Sequence, residues 1–274
     1  MANSVLTPKS VAELVKIVAK KGKNVILVSG VDPAERPVAG KTTVDLQQVD
    51  ALNEISTQKD RVIIGTGVNL GRLSREAAGE NGLICKAASL VGSPLVRNRI
   101  TLLEALDPKS PYFDVTTPLV LLDAKVRLQS PTAKRTVSIR DFLEQVTKGL
   151  KKGELPVAVE FARIPPTHRA GFFRVARMNG KGSVSAATRV RLVRNTAMDP
   201  EIVVSSLSVI PLRSKAAEKE LAGKIISEET IKNAATKAAE EIGSFAEKHT
   251  AYDNTLIEIA VSRTLRDIVQ GPLG

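Results

Sequence analysis

The chain of 274 residues carries 40 basic and 29 acidic side chains, a formal net charge of +11, and its hydrophobic residues amount to 43%. This composition excludes a bulk-disordered chain. One cysteine, Cys85, excludes an internal disulfide and a four-cysteine metal site, and two histidines leave little for another, so we expect no metal. No apolar run is long enough to span a bilayer and no secretory signal follows Met1, so we expect a cytoplasmic protein without membrane contact.

The first 65 residues alternate between helix and strand. Ser10 and Glu13 have the spacing of a capping box, which predicts a helix that ends at Gly22. Alternating and β-branched residues predict three strands, over residues 24–29, 42–46 and 61–64.

The next hundred residues continue this mixture. Residues 65–92 have mostly helical spacing, and the apolar run 118–128 predicts one long strand in a sheet covered on both sides. Ser138 begins a further helix, which breaks at residues 151–153, and a strand is expected over 156–163. Pro165 and Pro166 then form the best linker candidate in the chain.

The pattern changes after the two prolines. Three β runs, at 172–178, 183–193 and 201–210, predict a three-stranded antiparallel meander, and helices are expected over 215–221, 228–248 and 254–269. The fold class is therefore α+β. We expect one domain over residues 1–164, divided into subdomains of about 1–60 and 61–164, and a second over 167–274.

A basic stretch lies at the start of the second domain, between residues 169 and 194, and contains no acidic residue. Arg189 and Arg191 alternate with apolar residues, so both should lie on one exposed sheet face. A solvated face and a docking surface for an acidic partner or anionic cofactor both remain open. Nucleic acid is an unlikely partner, because aromatic residues are only 3% and Trp is absent. The basic residues are Arg169, Arg174, Arg177, Lys181, Arg189, Arg191 and Arg194.

Short motifs stand in a fixed order along nearly the whole chain. They are Val28-Ser29-Gly30-Val31-Asp32, Ile64-Gly65-Thr66-Gly67-Val68, Val96-Arg97-Asn98 with Thr101, Ser110-Pro111 with Asp114, Leu122-Asp123-Ala124, Asp141-Phe142, Gly153-Glu154-Leu155 and Phe173-Arg174-Val175. In this order they resemble the flavin-binding medium subunit of the molybdenum hydroxylase family, which includes carbon monoxide dehydrogenase and the xanthine dehydrogenases. The resemblance implies a PCMH-type FAD-binding domain followed by a carbon monoxide dehydrogenase flavoprotein C-terminal-like domain.

The resemblance also implies a cofactor, partners and site residues. FAD would be held by a first glycine loop at Val28, Ser29, Gly30, Val31 and Asp32, and by a second loop at Thr101, Leu102, Leu103, Glu104 and Ala105. Asp114 would lie beside the ribityl chain, and Arg174 stands where the family usually has Lys. The chain would relay electrons from an iron–sulfur small subunit. Substrate chemistry would lie on a molybdenum large subunit, so no catalytic residue is expected here.

The second loop departs from the family pattern. Leu103, Glu104 and Ala105 replace two glycines and an Asn, and Ser29 replaces a glycine of the first loop. Side chains at these positions obstruct the backbone approach that a pyrophosphate requires, and Glu104 adds a negative charge. We therefore predict that FAD binds weakly or not at all. The alternatives are a flavin-less scaffold or assembly subunit, a binder of another ligand and, more weakly, a nucleic-acid-binding protein.

Several of these residues also have a purely structural interpretation. Gly30 and Asp32 are common turn residues, Asp114 could cap a helix, and Arg97 with Asn98 could order a loop. Cys85 stands among apolar residues, which indicates a buried and inert thiol.

Overall fold

The protein is described by a computed structural model that covers six segments of the chain: residues 5–28, 40–76, 82–176, 183–206, 210–245 and 250–270. The chain divides into two compact units. The first comprises Met1–Ala78, Val91–Tyr112 and Asp123–Arg163, and the second comprises Gly79–Leu90, Phe113–Leu122 and Ile164–Gly274.

The first unit begins with a parallel sheet in the strand order β1-β3-β2. These strands are β1 (Val5–Leu6), β2 (Val25–Val28) and β3 (Thr42–Asp45). Helix α1 (Val11–Lys21) follows β1; Ser10 caps it by accepting the backbone N–H of Glu13 over 3.2 Å, and Gly22 ends it at φ 58°. The predicted first helix is confirmed.

The first unit also contains a five-stranded antiparallel sheet, in the order β4-β5-β8-β6-β7. Its strands are β4 (Ile55–Thr57), β5 (Arg61–Gly65), β6 (Lys125–Gln129), β7 (Lys134–Ser138) and β8 (Leu155–Ala162). The helices of this part are α2 (Leu70–Glu76), α4 (Pro94–Arg99), α5 (Leu102–Ala105) and α7 (Ile139–Lys148). Val62, Ile64, Val126 and Val159 alternate inward along its strands and are fully buried.

The second unit is built on an antiparallel sheet in the order β12-β11-β10-β9. Its strands are β9 (His168–Ala176), β10 (Ser183–Val193), β11 (Thr196–Ser205) and β12 (Leu212–Arg213). The predicted three-stranded sheet is therefore wrong by one strand, because β12 has two residues and so carries no alternation that a sequence pattern could reveal. The α+β fold class is confirmed.

Among the described residues, the second unit contains the helices α3 (Gly82–Ser89), α6 (Thr116–Leu121), α8 (Lys215–Leu221), α9 (Glu228–Gly243) and α10 (Ala251–Gln270). Helix α10 packs directly on the sheet, where the Thr264 hydroxyl lies 2.9 Å from that of Thr188. On the opposite face, Thr117 of α6 meets Ser185 of β10, with 2.8 Å between their hydroxyls. The sheet is thus covered on both faces over part of its length.

The predicted strand over residues 118–128 is wrong. Its first part is the buried helix α6, which begins at Thr116, and only its second part is a strand, β6. Asp123 separates the two at φ 46°. A short run that is apolar at every position has no periodicity to separate helix from strand, and proline is tolerated in a first helical turn, where Pro118 lies.

The boundaries of the two compact units do not coincide with the division of the sequence at Pro165-Pro166. Helices α3 and α6 come from the first 164 residues but belong to the unit that contains β9–β12. The domains at 1–164 and 167–274 therefore stay a prediction about folding units. The linker Pro165-Pro166 does separate two sheets, since β8 ends at Ala162 and β9 begins at His168 in another sheet.

Candidate functional site

The first glycine loop begins where β2 ends. Val28 is its one member within the described residues; it is buried, and its carbonyl accepts the N–H of Leu46 over 2.8 Å. Ser29, Gly30, Val31 and Asp32 lie outside the described residues. Their predicted contact with the flavin and their alternative interpretation as a turn both stay predictions.

The second loop forms a capping box, in which Thr101 and Glu104 bind each other's backbone N–H groups. Thr101 is the N-cap of α5: its hydroxyl accepts the N–H of Glu104 over 3.4 Å, and the Glu104 carboxylate accepts the N–H of Thr101 over 3.3 Å. The N–H of Ala105 donates to the Thr101 carbonyl over 3.1 Å. A capping box satisfies donors that a helix start would otherwise present to a ligand.

The two remaining N–H groups of the loop donate to backbone carbonyls in the segment that follows β5. Leu102 donates to the Val68 carbonyl and Leu103 to the Thr66 carbonyl, each over 2.8 Å. Each N–H group from 101 to 105 therefore has an acceptor within the chain. The Leu102 side chain is buried, and that of Leu103 packs against the apolar cluster beside β2 and β3.

Asp114 and Arg174, the other two predicted site residues, form an ion pair inside the second unit. Arg174 Nε donates to Asp114 Oδ2 over 2.6 Å, and the Ser183 hydroxyl lies 2.7 and 2.6 Å from the two carboxylate oxygens. The Asp114 side chain is only 5% exposed. The helix-cap interpretation of Asp114 is wrong, since the N-cap of α6 is Val115 and carries no side-chain hydrogen bond.

The glycine-rich motif at residues 64–68 serves backbone packing. A Cβ on Gly65 would lie 2.2 Å from the Leu52 carbonyl oxygen, and one on Gly67 would lie 2.9 Å from Asn53 Oδ1. The N–H of Gly67 donates to that same Leu52 carbonyl over 2.8 Å. These glycines are needed because two backbone segments approach each other closely.

Arg97 orders a loop, which confirms its structural interpretation. Its Nη1 donates to the carbonyls of Val91 and Gly92 over 3.2 and 2.8 Å. Asn98 packs against α2, where a Cβ on Gly71 would lie 2.1 Å from Asn98 Oδ1.

Glu154, in the motif before β8, forms a bidentate ion pair with Arg135. Arg135 Nε and Nη2 donate to the two carboxylate oxygens over 2.6 and 2.7 Å, and the Glu154 side chain is only 6% exposed. This guanidinium holds the pKa of Glu154 below its ordinary value, despite the opposing effect of burial. The ion pair connects β7, which contains Arg135, to the start of β8, which Glu154 precedes.

The arginines of β10 are neutralised by the neighbouring strand. Arg189 Nε donates to Glu201 Oε2 over 2.6 Å, and Arg191 Nη2 donates to Asp199 Oδ2 over 3.0 Å. Asp199, at φ 51°, lies where the β10–β11 register shifts by one residue. The local face therefore carries charges of both signs, and the expectation of a basic surface is wrong there because β11 supplies the carboxylates.

The other residues of the basic stretch are divided between two faces. Arg169 is the register neighbour of Val190, whereas Arg189 is that of Ala170, so Arg169 and Arg189 lie on opposite faces of the sheet. Arg177 and Lys181 lie outside the described residues.

The described part of the chain contains side chains of the metal-ligating types and the single thiol. No group of three His, Cys, Asp or Glu side chains there could hold a metal ion. Cys85 is buried, and burial raises the pKa of its thiol to about 11, which confirms the interpretation of an inert thiol. None of the described helices is long and apolar enough to cross a membrane.

The sequence analysis did not predict the hydrogen-bond and ion-pair partners of the candidate site residues. Ser183 and Glu201 belong to no motif. Thr66 and Val68 stand in the motif at residues 64–68, but nothing in that motif indicates that their carbonyls accept the N–H groups of Leu103 and Leu102. Glu104 is the exception: Thr101 and Glu104 stand three residues apart, which is the capping-box spacing.

Comparison with known proteins places this architecture in one class. Residues 1–165 match the family model described as FAD binding domain in molybdopterin dehydrogenase. Residues 178–268 match the CO dehydrogenase flavoprotein C-terminal domain. The chain therefore belongs to the molybdenum hydroxylase family, in the class of its FAD-binding medium subunits.

Individual relatives cover most of the chain. The carbon monoxide dehydrogenase medium chain of Hydrogenophaga pseudoflava is 23% identical over 270 residues, 93% of this chain and 94% of the relative. The glyceraldehyde dehydrogenase medium chain of Sulfolobus acidocaldarius is 22% identical over 237 residues, 82% of each chain. A chain of the quinoline 2-oxidoreductase structure from Pseudomonas putida 86 superimposes with a TM-score of 0.82 at 25% identity, covering 100% of this chain and 99% of that one.

Proposed function

We propose that this chain occupies the medium-subunit position of a molybdenum hydroxylase complex, beside an iron–sulfur small subunit and a molybdenum large subunit. Within that complex it acts as a flavin-less assembly subunit. One observation carries the second part of the proposal: each backbone N–H group from 101 to 105 is already bound within the chain.

The second loop does not fit a pyrophosphate as it stands. A diphosphate binds where free backbone N–H groups point at it and no side chain intervenes. Here the donors are engaged, and Leu103 and Glu104 add side chains. At an effective dielectric of about 20, two like charges about 4 Å apart repel by about 4 kcal/mol, so the Glu104 carboxylate opposes a diphosphate further.

The Asp114 carboxylate supports the same conclusion. In the family this position lies beside the ribityl chain, whereas here the carboxylate is held by Arg174 and Ser183. The Asp114 side chain is only 5% exposed, so a ribityl hydroxyl has little access to the acceptor sites that these partners leave on the carboxylate.

The alternative function is electron relay through FAD. It is favoured by the match of residues 1–165 to an FAD-binding domain family and by the presence of Thr101 and Asp114. FAD, when bound, would supply the redox chemistry of such a relay. The two functions differ in whether the purified chain holds the cofactor.

The test is the visible absorption spectrum of the purified protein together with its melting temperature in added FAD. We expect a colourless protein whose melting temperature does not respond to FAD. The variant Leu103→Gly/Glu104→Gly should gain FAD affinity, because it removes both partly buried side chains and with them the carboxylate that accepts the Thr101 N–H. Glu104→Gln is the matched control, since it removes the charge and keeps the bulk.

A yellow wild-type protein with stoichiometric FAD would contradict the flavin-less role and establish the relay as the better proposal. The medium-subunit position is tested separately, by co-expression with the small and large subunits. Co-elution of all three on gel filtration supports it, and elution of this chain alone contradicts it.

A further inference from the structure

A cavity lies in the unit that contains β9–β12, and none of the family motifs lines it. Its volume is about 290 Å³, and it opens between α3, β9 and the C-terminal end of α10. Leu83, Phe172 and Ile268, all buried, form its apolar wall. Sites for small molecules range from about 300 to 1,000 Å³, so this cavity suits a ligand at the lower end of that range.

The rim of the cavity carries an excess of positive charge. Lys86 Nζ lies 2.5 Å from Asp267 Oδ2, so these two residues neutralise each other. Arg169 is exposed and forms no ion pair with any carboxylate of the described residues, and His168 stands beside it. One guanidinium is therefore available beside an apolar wall.

We propose that this cavity binds a small amphipathic monoanion, an aromatic or aliphatic carboxylate. Its apolar part lies against Leu83 and Phe172, and its carboxylate accepts two parallel hydrogen bonds from Arg169. A planar guanidinium donates to a carboxylate in this bidentate geometry. The site therefore binds an acid in preference to a neutral or cationic ligand of the same shape.

This site is separate from the residues that the flavin would contact. Ala170 lines the cavity and Arg174 binds Asp114, and four residues of extended strand place them about 13 Å apart. The proposal therefore does not depend on whether the chain binds FAD.

The test is a calorimetric or ligand-observed NMR titration with naphthoate, compared with the neutral naphthylmethanol. We expect naphthoate to bind with a Kd of about 1 mM or below, the affinity of a ligand of this size, and about tenfold more tightly than the alcohol. Arg169→Gln should abolish that preference. Gly82→Leu should weaken both ligands, because Gly82 lines the cavity and a Cβ there meets no atom within 4 Å.

The matched control is Arg194→Gln, which removes one exposed positive charge at the β10–β11 turn, away from the cavity. It should bind naphthoate as the wild type does. Absence of naphthoate binding, equal affinity for the alcohol, or equal losses in Arg169→Gln and Arg194→Gln would overturn the proposal. Should Arg169→Gln fail to fold, the wild type decides: naphthoate binding must weaken with salt while naphthylmethanol binding does not.

Discussion

The Asp114 carboxylate and the Arg174 guanidinium, 60 residues apart in the chain, meet over 2.6 Å inside one compact unit. The Ser183 hydroxyl lies against the same carboxylate. Both charged residues belong to motifs that imply a flavin contact, yet here each serves as the partner of the other. The pair connects the segment before α6 to the sheet of the second unit.

Removing one partner of this pair should destabilise the protein. Arg174→Met leaves a nearly buried carboxylate without its cation, and we expect a loss of about 3 kcal/mol in the free energy of unfolding, measured with urea. The control Arg191→Met should cost under about 1 kcal/mol, since its partner Asp199 is 73% exposed. Equal losses in the two variants would show that burial of Asp114 does not matter. The double variant Asp114→Asn/Arg174→Met should recover part of the loss.

Helix α10 crosses β9 at Gly171, where a side chain has no room. A Cβ there would lie 2.6 Å from the backbone oxygen of Thr264. We expect Gly171→Ala to lower the free energy of unfolding by about 1–3 kcal/mol, because backbone must move to admit the methyl group. Gly82→Ala, with no atom within 4 Å of the new Cβ, should be neutral. A melting temperature unchanged in both variants would refute the close approach.

The ion pair of Glu154 and Arg135 should make the free energy of unfolding depend on pH in the acid range. The pKa of Glu154 is lowered in the folded protein from an ordinary value of 4.5, chiefly by hydrogen bonding to Arg135. Its contribution is therefore fully present above the ordinary value and is lost as the pH falls through the folded pKa. The difference in free energy of unfolding between wild type and Glu154→Gln should shrink steadily below about pH 4.5. A difference independent of pH would contradict this.

The Cys85 thiol should resist alkylation in the native protein. Burial excludes reagents and raises its pKa to about 11, so almost none is thiolate near neutral pH. We expect iodoacetamide, followed by mass spectrometry, to label the protein only after urea is added. Labelling of the native wild type at the rate of free cysteine would contradict the buried position. Cys85→Ser reports any reaction at other residues.

Local signals explain the elements that sequence reasoning predicted well. Ser10 with Glu13 and Ser138 with Asp141 begin helices as predicted, because a cap is formed by residues three positions apart. The strand over 183–193 alternates between buried and accessible faces at its end, and its bounds agree with β10.

Elements without a local period could not be predicted in this way. The run at 118–122 is buried on all sides, so it shows neither a period of two nor one of 3.6 residues, and it proved to be mainly helix. Strand β12 is a strand only because β11 lies beside it. Its two residues contain no pattern of their own.

By itself, the sequence determined the α+β class, the order of the family motifs and the loss of the glycines at 101–105, since these depend on residue identity and short spacing. Only the tertiary structure decided what the side chains contact. It paired Asp114 with Arg174, gave Arg189 and Arg191 carboxylates from β11, and left Arg169 beside an apolar cavity. These partners lie 8 to 60 residues away along the chain, so these ion pairs are set by which strands and segments pack together rather than by a local spacing.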